Sequence, residues 1–326
     1  MDLSKRSVGE RRRPTWIERI SNRHRPQITS AIYLPNDAPL PSFFIVGPPR
    51  TGTSWLHEIL RRHAVLPFPT KETRFFDCHF HRGIEWYRAH YPRERATLPV
   101  GEIAPTYFAS REARERMAQV VPGARIVCIF RDPFERLLSL YRVKRAYGLI
   151  PWSFEQAVHH DPEFLDTSRY GTNLNAWKKT FGRGQVLATL YDDLCADPQS
   201  YLDRILDFIG VRRFRLTASQ RRSVHASESL THPRSYVRTR NASKMADWLK
   251  AQRLDRVVAA VRNSPLRSLF LGGGRPFTEP SPEVVAQLRQ LLLPEVEALE
   301  DLLNRDLSAW KYSRDEPLAD AASASR

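Results

Sequence analysis

Residues 43–54 read Phe43-Phe44-Ile45-Val46-Gly47-Pro48-Pro49-Arg50-Thr51-Gly52-Thr53-Ser54, and their order decides the fold. An apolar run ending in Gly and Pro is what a strand buried on both faces of a parallel sheet looks like. The stretch that follows, TSWLHEILRRH (53–63), sets apolar residues at 55, 56, 59 and 60, one stripe of a helix. The same alternation returns downstream. ARIVCIF (124–130) is a second continuous apolar strand, and after it Asp132 can cap a helix with Pro133 at its first position and Phe134, Leu137, Leu138 and Tyr141 on one face. QVLATLY (185–191) reads as a third strand, and DPQSYLDRILDFIGV (197–211) as a helix ended by Gly210. VGEIAP (100–105) is a weaker strand, and residues 282–304 read as a helix with a kink expected at Pro294. Strands alternating with helices imply an α/β fold, a parallel sheet with right-handed crossovers and flanking helices. Ligands of such sheets sit beyond the carboxyl ends of the strands. Residues 47–54, 101–107 and 131–132 all end there.

The chain has 326 residues, enough to bury a sizeable core, and 41% hydrophobic with 10% aromatic residues excludes wholesale disorder. No run of about 18 apolar residues marks a transmembrane helix. The basic start, MDLSKRSVGERRRPTW, lacks the apolar core of a secretory signal. Cys78, Cys128 and Cys195 are too few and too scattered for a disulfide framework or a cysteine zinc site. A reducing, cytoplasmic setting is the expectation. The net charge of +15 is concentrated in residues 1–25, with a net +5, and residues 212–240, with a net +7. Such stretches allow a nucleic-acid binder, or simply a basic tail and a basic surface segment. In 212–240 only Phe214 and Tyr236 are available, besides His, for stacking on bases, which makes nucleic acid the weaker partner.

Gly47 to Ser54 has the spacing GxxxxGK[ST] of a nucleotide-binding P-loop, except that Thr53 stands where the lysine is required. That lysine reaches the β- and γ-phosphates, so its absence argues against the alternative of a nucleotide kinase. What remains is still an anion site. Backbone N–H groups at Gly52 to Ser54 open a helix whose dipole favours negative charge, Thr53 and Ser54 add hydroxyls, and Arg50 adds a cation.

PPRTGTSWLHEIL (48–60) resembles the 5′-phosphosulfate loop of the PAPS-dependent sulfotransferases. KETRFFD (71–77) is similar to the segment that carries the catalytic glutamate in their heparan sulfate and tyrosylprotein branches, and RDPFERLLS (131–139) resembles their 3′-phosphate motif. GEIAPTYF, YDDLCADP, GGGRPF and LNRDLSAW are weaker matches that extend the resemblance over residues 41–312. It implies a P-loop-like parallel sheet in a single sulfotransferase domain at 41–312, after a basic extension at 1–40 and before a tail at 313–326 expected to be disordered. It implies PAPS as donor and PAP as product, with no metal. Arg50, Thr51, Gly52, Thr53, Ser54, Arg131, Ser139 and Arg275 would bind the cofactor, and Glu72 would be the general base, with Arg50 stabilising the leaving phosphate. Arg74 matches the tyrosylprotein branch and would orient Glu72 or bind acceptor. The acceptor would be a hydroxyl or amine of a small molecule, a lipid, a saccharide or a peptide. Departures from the relatives point to a soluble bacterial type: no membrane anchor is seen, no cysteine follows Cys195 to form the heparan-type disulfide, and Arg50 replaces that branch's lysine. Lys144 and His79 are pocket candidates that fit the surface better. The basic segment 212–240 is expected to form a lid over the cofactor or acceptor.

Overall fold

The structure, a computed structural model, describes residues 40–92, 97–222, 230–251, 254, 257–258 and 274–311. Its strands are β1 (Phe43–Ile45), β2 (Gly101–Ile103), β3 (Arg125–Phe130) and β4 (Val186–Leu190). They form one parallel sheet in the order β2-β1-β3-β4, with Phe43 opposite both Gly101 and Arg125, and Ile126 opposite Val186. The helices are α1 (Thr53–Leu60), α2 (Gly83–Arg88), α3 (Arg111–Val120), α4 (Pro133–Ala146), α5 (Phe154–His160), α6 (Glu163–Asp166), α7 (Tyr170–Phe181), α8 (Tyr191–Ala196), α9 (Pro198–Ile209), α10 (Ala218–Arg222), α11 (Tyr236–Ala251) and α12 (Pro282–Leu303). The P-loop-like α/β architecture expected from the sequence is the one observed.

Because side chains alternate along a strand, the apolar runs feed two cores. Phe44, Val46, Ile126, Cys128 and Phe130 pack on one face with Met117 of α3, Trp177 of α7 and Leu299 of α12. Phe43, Ile45, Val127 and Ile129 pack on the other with Leu56 and Ile59 of α1 and Ile205 of α9. Burial on both faces is why these strands read as continuous hydrophobic runs.

The caps follow local chemistry. Asp132 accepts a hydrogen bond from the Glu135 N–H at 3.1 Å, with Pro133 at the first position of α4. Asp197 caps α9, which Gly210 ends in the left-handed conformation. The helix expected over 282–304 is α12, which continues through Pro294. Packing on both sides of that residue, with Leu292 and Val296 buried, holds the helix together across the missing N–H. Most of the basic extension (1–39) and the tail (313–326) lie outside the described residues.

Candidate functional site

The chain leaves β1 toward β2 and leaves β3 toward β4, so the carboxyl ends of these neighbouring strands flank the crevice where open α/β sheets bind ligands. Residues 47–52 turn there. Arg50 (φ 77°) and Gly52 (φ 87°) are both left-handed. A Cβ on Gly52 would lie 3.0 Å from Leu194 and 3.2 Å from Tyr191, so conformation and space both call for glycine. The Thr51 hydroxyl is fully buried and donates to the Pro48 carbonyl at 2.8 Å, closing the turn rather than facing the crevice. No side chain caps α1, so its first-turn N–H groups and the positive end of its dipole remain for an anion.

Arg50 ties this loop to α4, its Nε donating to Ser139 Oγ at 3.0 Å. The sequence pairs Ser139 with Arg131; in the structure the Ser139 hydroxyl is bonded by Arg50. Arg131, at the end of β3, lies over the Tyr191 ring at 5.1 Å and pairs with Glu135 at 3.5 Å. Its motif is braced from below, where Arg289 Nη2 donates to Asp132 Oδ2 at 3.1 Å. Burial, and after it the charge of Arg131, lowers the pKa of Arg50 from its ordinary value. Two guanidinium groups crowded beside a helix N-terminus are relieved by an anion between them.

KETRFFD meets the same loop. Lys71 Nζ donates to Ser54 Oγ at 3.1 Å and stands 3.6 Å from Glu72 Oε1. Glu72 keeps a quarter of its side chain exposed. Burial raises its pKa, an effect opposed in part by Lys71 and then Arg74. The result is a carboxylate more basic than a free one, in reach of solvent and linked through Lys71 to the anion loop. Arg74 is left-handed (φ 53°), and its Nε and Nη2 donate to Asp77 Oδ2 at 3.1 and 2.7 Å, closing the turn that follows.

Other candidates fall elsewhere. Lys144 is on neither the surface nor a pocket wall: it is buried and holds Asp161 at 2.6 Å and Glu163, joining α4 to the chain around α6. His79 is half-buried against Trp86 with a pKa lowered to about 4, chiefly by burial and next by Arg82, so it is neutral near pH 7. The Arg275 side chain is exposed, and its carbonyl accepts from the His232 N–H at 3.0 Å; the structure does not bring it into contact with Arg50 or Arg131. Within 212–240, Ser227, Glu228 and Ser229 lie outside the described residues. The flanks are anchored: Trp55 Nε1 donates to the Gln220 carbonyl at 2.8 Å, and Ser243 Oγ to the Tyr147 carbonyl at 2.7 Å. Arg238 and Arg240, at the end of the segment expected to form a lid, are on the helix α11.

Two residues at or beside the site are not legible as such. Lys71 reads as a charge partner for Glu72, and its reach to Ser54 crosses 17 positions. Glu102 is a carboxylate in the middle of a buried strand, and that oddity is itself the signal that could have found it.

The family model described as sulfotransferase domain matches residues 40–253. The chain is 32% identical over 183 residues to the heparan sulfate glucosamine 3-O-sulfotransferase 3B1 of Mus musculus, covering 53% of this chain and 47% of that protein. It is 31% identical over 195 residues to the bifunctional heparan sulfate N-deacetylase/N-sulfotransferase 4 of Mus musculus, covering 53% and 22% respectively. It therefore spans about half the length of the first relative and about a fifth of the second. Among solved structures, the sulfotransferase from Alicyclobacillus acidocaldarius matches with a TM-score of 0.58 at 22% identity, covering 84% of this chain and all of that one. At that identity the likeness bears on the fold.

Proposed function

The chain belongs to the sulfotransferase family, and on that footing we propose that it moves the sulfuryl group of PAPS to an acceptor hydroxyl or amine, with Glu72 as general base. The observation that carries this reading is the Arg50–Ser139 hydrogen bond, which draws the loop after β1 and the helix after β3 onto one cationic face. PAPS, when bound, supplies an activated sulfuryl group on a 5′-phosphate and a separate 3′-phosphate. The donors fit two anionic ends. The amides of Gly52 to Ser54, the Thr53 and Ser54 hydroxyls and Arg50 take the 5′ end, with Thr51 contributing its backbone. Arg131 and Ser139 take the 3′-phosphate, and the resemblance gives Arg275 a part in holding the same cofactor.

An alcohol is a poor nucleophile until it loses its proton, and Glu72 removes it. Arg50 stabilises charge on the oxygen left behind, in a setting where fixed donors act without reorganisation. Lys71 holds Glu72 toward the loop. The catalytic domain is read as 41–312, because the C-terminal segment closes on α8: Arg305 pairs with Asp193 at 2.6 Å, and Trp310 Nε1 donates to Asp192 at 3.1 Å. The two mouse relatives are named for heparan sulfate, so a saccharide is the first acceptor class to try, before small molecules and lipids.

Thermal unfolding with three ligands tests the reading. PAP at about 100 times its Kd stabilises the chain by about 2.7 kcal/mol through mass action, while ATP–Mg²⁺ and a short oligonucleotide leave Tm unchanged. Stabilisation by either of those and not by PAP overturns it. Transfer persists in EDTA, since a singly charged sulfuryl group leaves less charge for a divalent ion to neutralise.

The acid side of the pH–rate profile reports the base. Glu72 is active when deprotonated, and its pKa is raised above 4.5, so the rate falls as pH drops through a value above that of an ordinary glutamate. Lys71→Ala removes a cation that opposes the shift, and so moves this limb to higher pH. A limb that stays put in Lys71→Ala contradicts the assignment.

A further inference from the structure

Glu102 is the middle residue of β2 and has no exposed surface. It points into the aromatic core, where the rings of Phe75 and Tyr87 stack at 4.5 Å. A carboxyl group is costly there unless its oxygens are occupied, and they are. Oε1 accepts from the Thr73 N–H at 2.8 Å and from the Thr73 hydroxyl at 2.7 Å, with the Tyr107 hydroxyl at 3.4 Å. Oε2 accepts from the Tyr87 hydroxyl at 2.7 Å, onto which the Tyr91 hydroxyl donates at 2.9 Å.

These partners converge on one peptide. The Thr73 N–H belongs to the planar unit whose carbonyl is that of Glu72. That carbonyl accepts from the Thr70 hydroxyl at 2.9 Å, so both polar ends of the 72–73 peptide are held. The Thr73 hydroxyl also accepts the Phe75 N–H at 3.1 Å, and the Tyr107 hydroxyl accepts the Phe76 N–H at 3.4 Å. Between them Arg74 adopts its left-handed conformation, which persists in a non-glycine residue when the surroundings impose it.

We propose that Glu102 is a positioning residue for Glu72: through Thr73 it fixes the 72–73 peptide and so the place of the Glu72 carboxylate beside the anion loop. This rests on the reading of Glu72 as the base. The cluster is hydrogen-bonded throughout and closed to solvent, as a support for a catalytic group needs to be.

The test uses the full chain, with rates taken as PAP released from PAPS per PAP-binding molecule. Desulfated heparan oligosaccharide is the acceptor, or water where the oligosaccharide does not turn over. Thr73→Val removes one donor to Glu102 and lowers kcat roughly 10-fold to 100-fold, as a displacement near 1 Å does, while the Kd of PAP stays within about threefold. Thr73→Ser keeps the hydroxyl and stays within about threefold of the wild-type rate. Glu102→Gln weakens the same bonds, gives a smaller loss, and supplies the readout if Thr73→Val does not fold. A lowered Tm with kcat within twofold of wild type in both Thr73→Val and Glu102→Gln makes the cluster structural and overturns the proposal. The Glu72→Gln background separates the two ideas. A wild-type rate in Glu72→Gln alone defeats the base reading. A slow Glu72→Gln in which Thr73→Val costs as much again as in wild type defeats the positioning role only.

Discussion

Glu72→Gln lowers kcat by roughly 10²–10⁴, the range lost with a general base, while the affinity for PAP stays within a few-fold. Glutamine preserves the shape of the side chain and leaves the 72–73 peptide on Glu102 and Thr70. What it removes is the carboxylate, which burial makes more basic than usual. Lys71 loses its neighbour but keeps Ser54 at 3.1 Å, so the anion loop stays in order and PAP binding reports an intact site. Steady-state rates with calorimetric PAP titration make the comparison. A variant keeping more than about a third of the wild-type kcat takes Glu72 out of the base role.

Arg131→Ala separates the two ends of the cofactor. The 3′-phosphate is what distinguishes PAP from adenosine 5′-phosphate. With charge-assisted bonds of about 1.5–3 kcal/mol at stake, the variant weakens PAP by roughly 10-fold to 100-fold and adenosine 5′-phosphate little. The fold tolerates the loss: Arg131 pairs with Glu135, whose side chain is 41% exposed and returns to water. The Arg289–Asp132 bond still braces the start of α4. Arg50 is not equivalent, because its bond to Ser139 puts it between the two ends. Equal losses for both ligands place Arg131 outside the 3′ site.

The sheet was legible because β1 and β3 are buried on both faces and the edge strand β4 is at least half-buried along its length, so all three stand out as apolar runs. β2 was faint for a physical reason. Glu102 interrupts its run, and the partners that make the carboxylate tolerable come from Thr73, Tyr87 and Tyr107 on other elements, which no local pattern shows. The sequence offers no clear sign of α11, because YVRTRNASKMADWLKA lacks an apolar stripe; the helix leaves Val237, Met245 and Trp248 exposed and is held instead by contacts such as Ser243 to Tyr147. At the site, residue types and their places at strand ends were readable, since anion chemistry requires Arg and hydroxyls beside a helix start. The pairings were not. Arg50 meets Ser139 across 89 positions, and Lys71 rather than Arg74 faces the loop, because Arg74 is drawn to Asp77 three residues on.

The most direct measurement is a crystal structure of the chain with PAP. The expected result is the 5′-phosphate on the amides of Gly52 to Ser54 and on Arg50, the 3′-phosphate on Arg131 and Ser139, and the Glu72 carboxylate facing the open side of the 5′-phosphate. PAP bound with its 3′-phosphate away from Arg131 and Ser139, or with Glu72 turned from the 5′-phosphate, contradicts it.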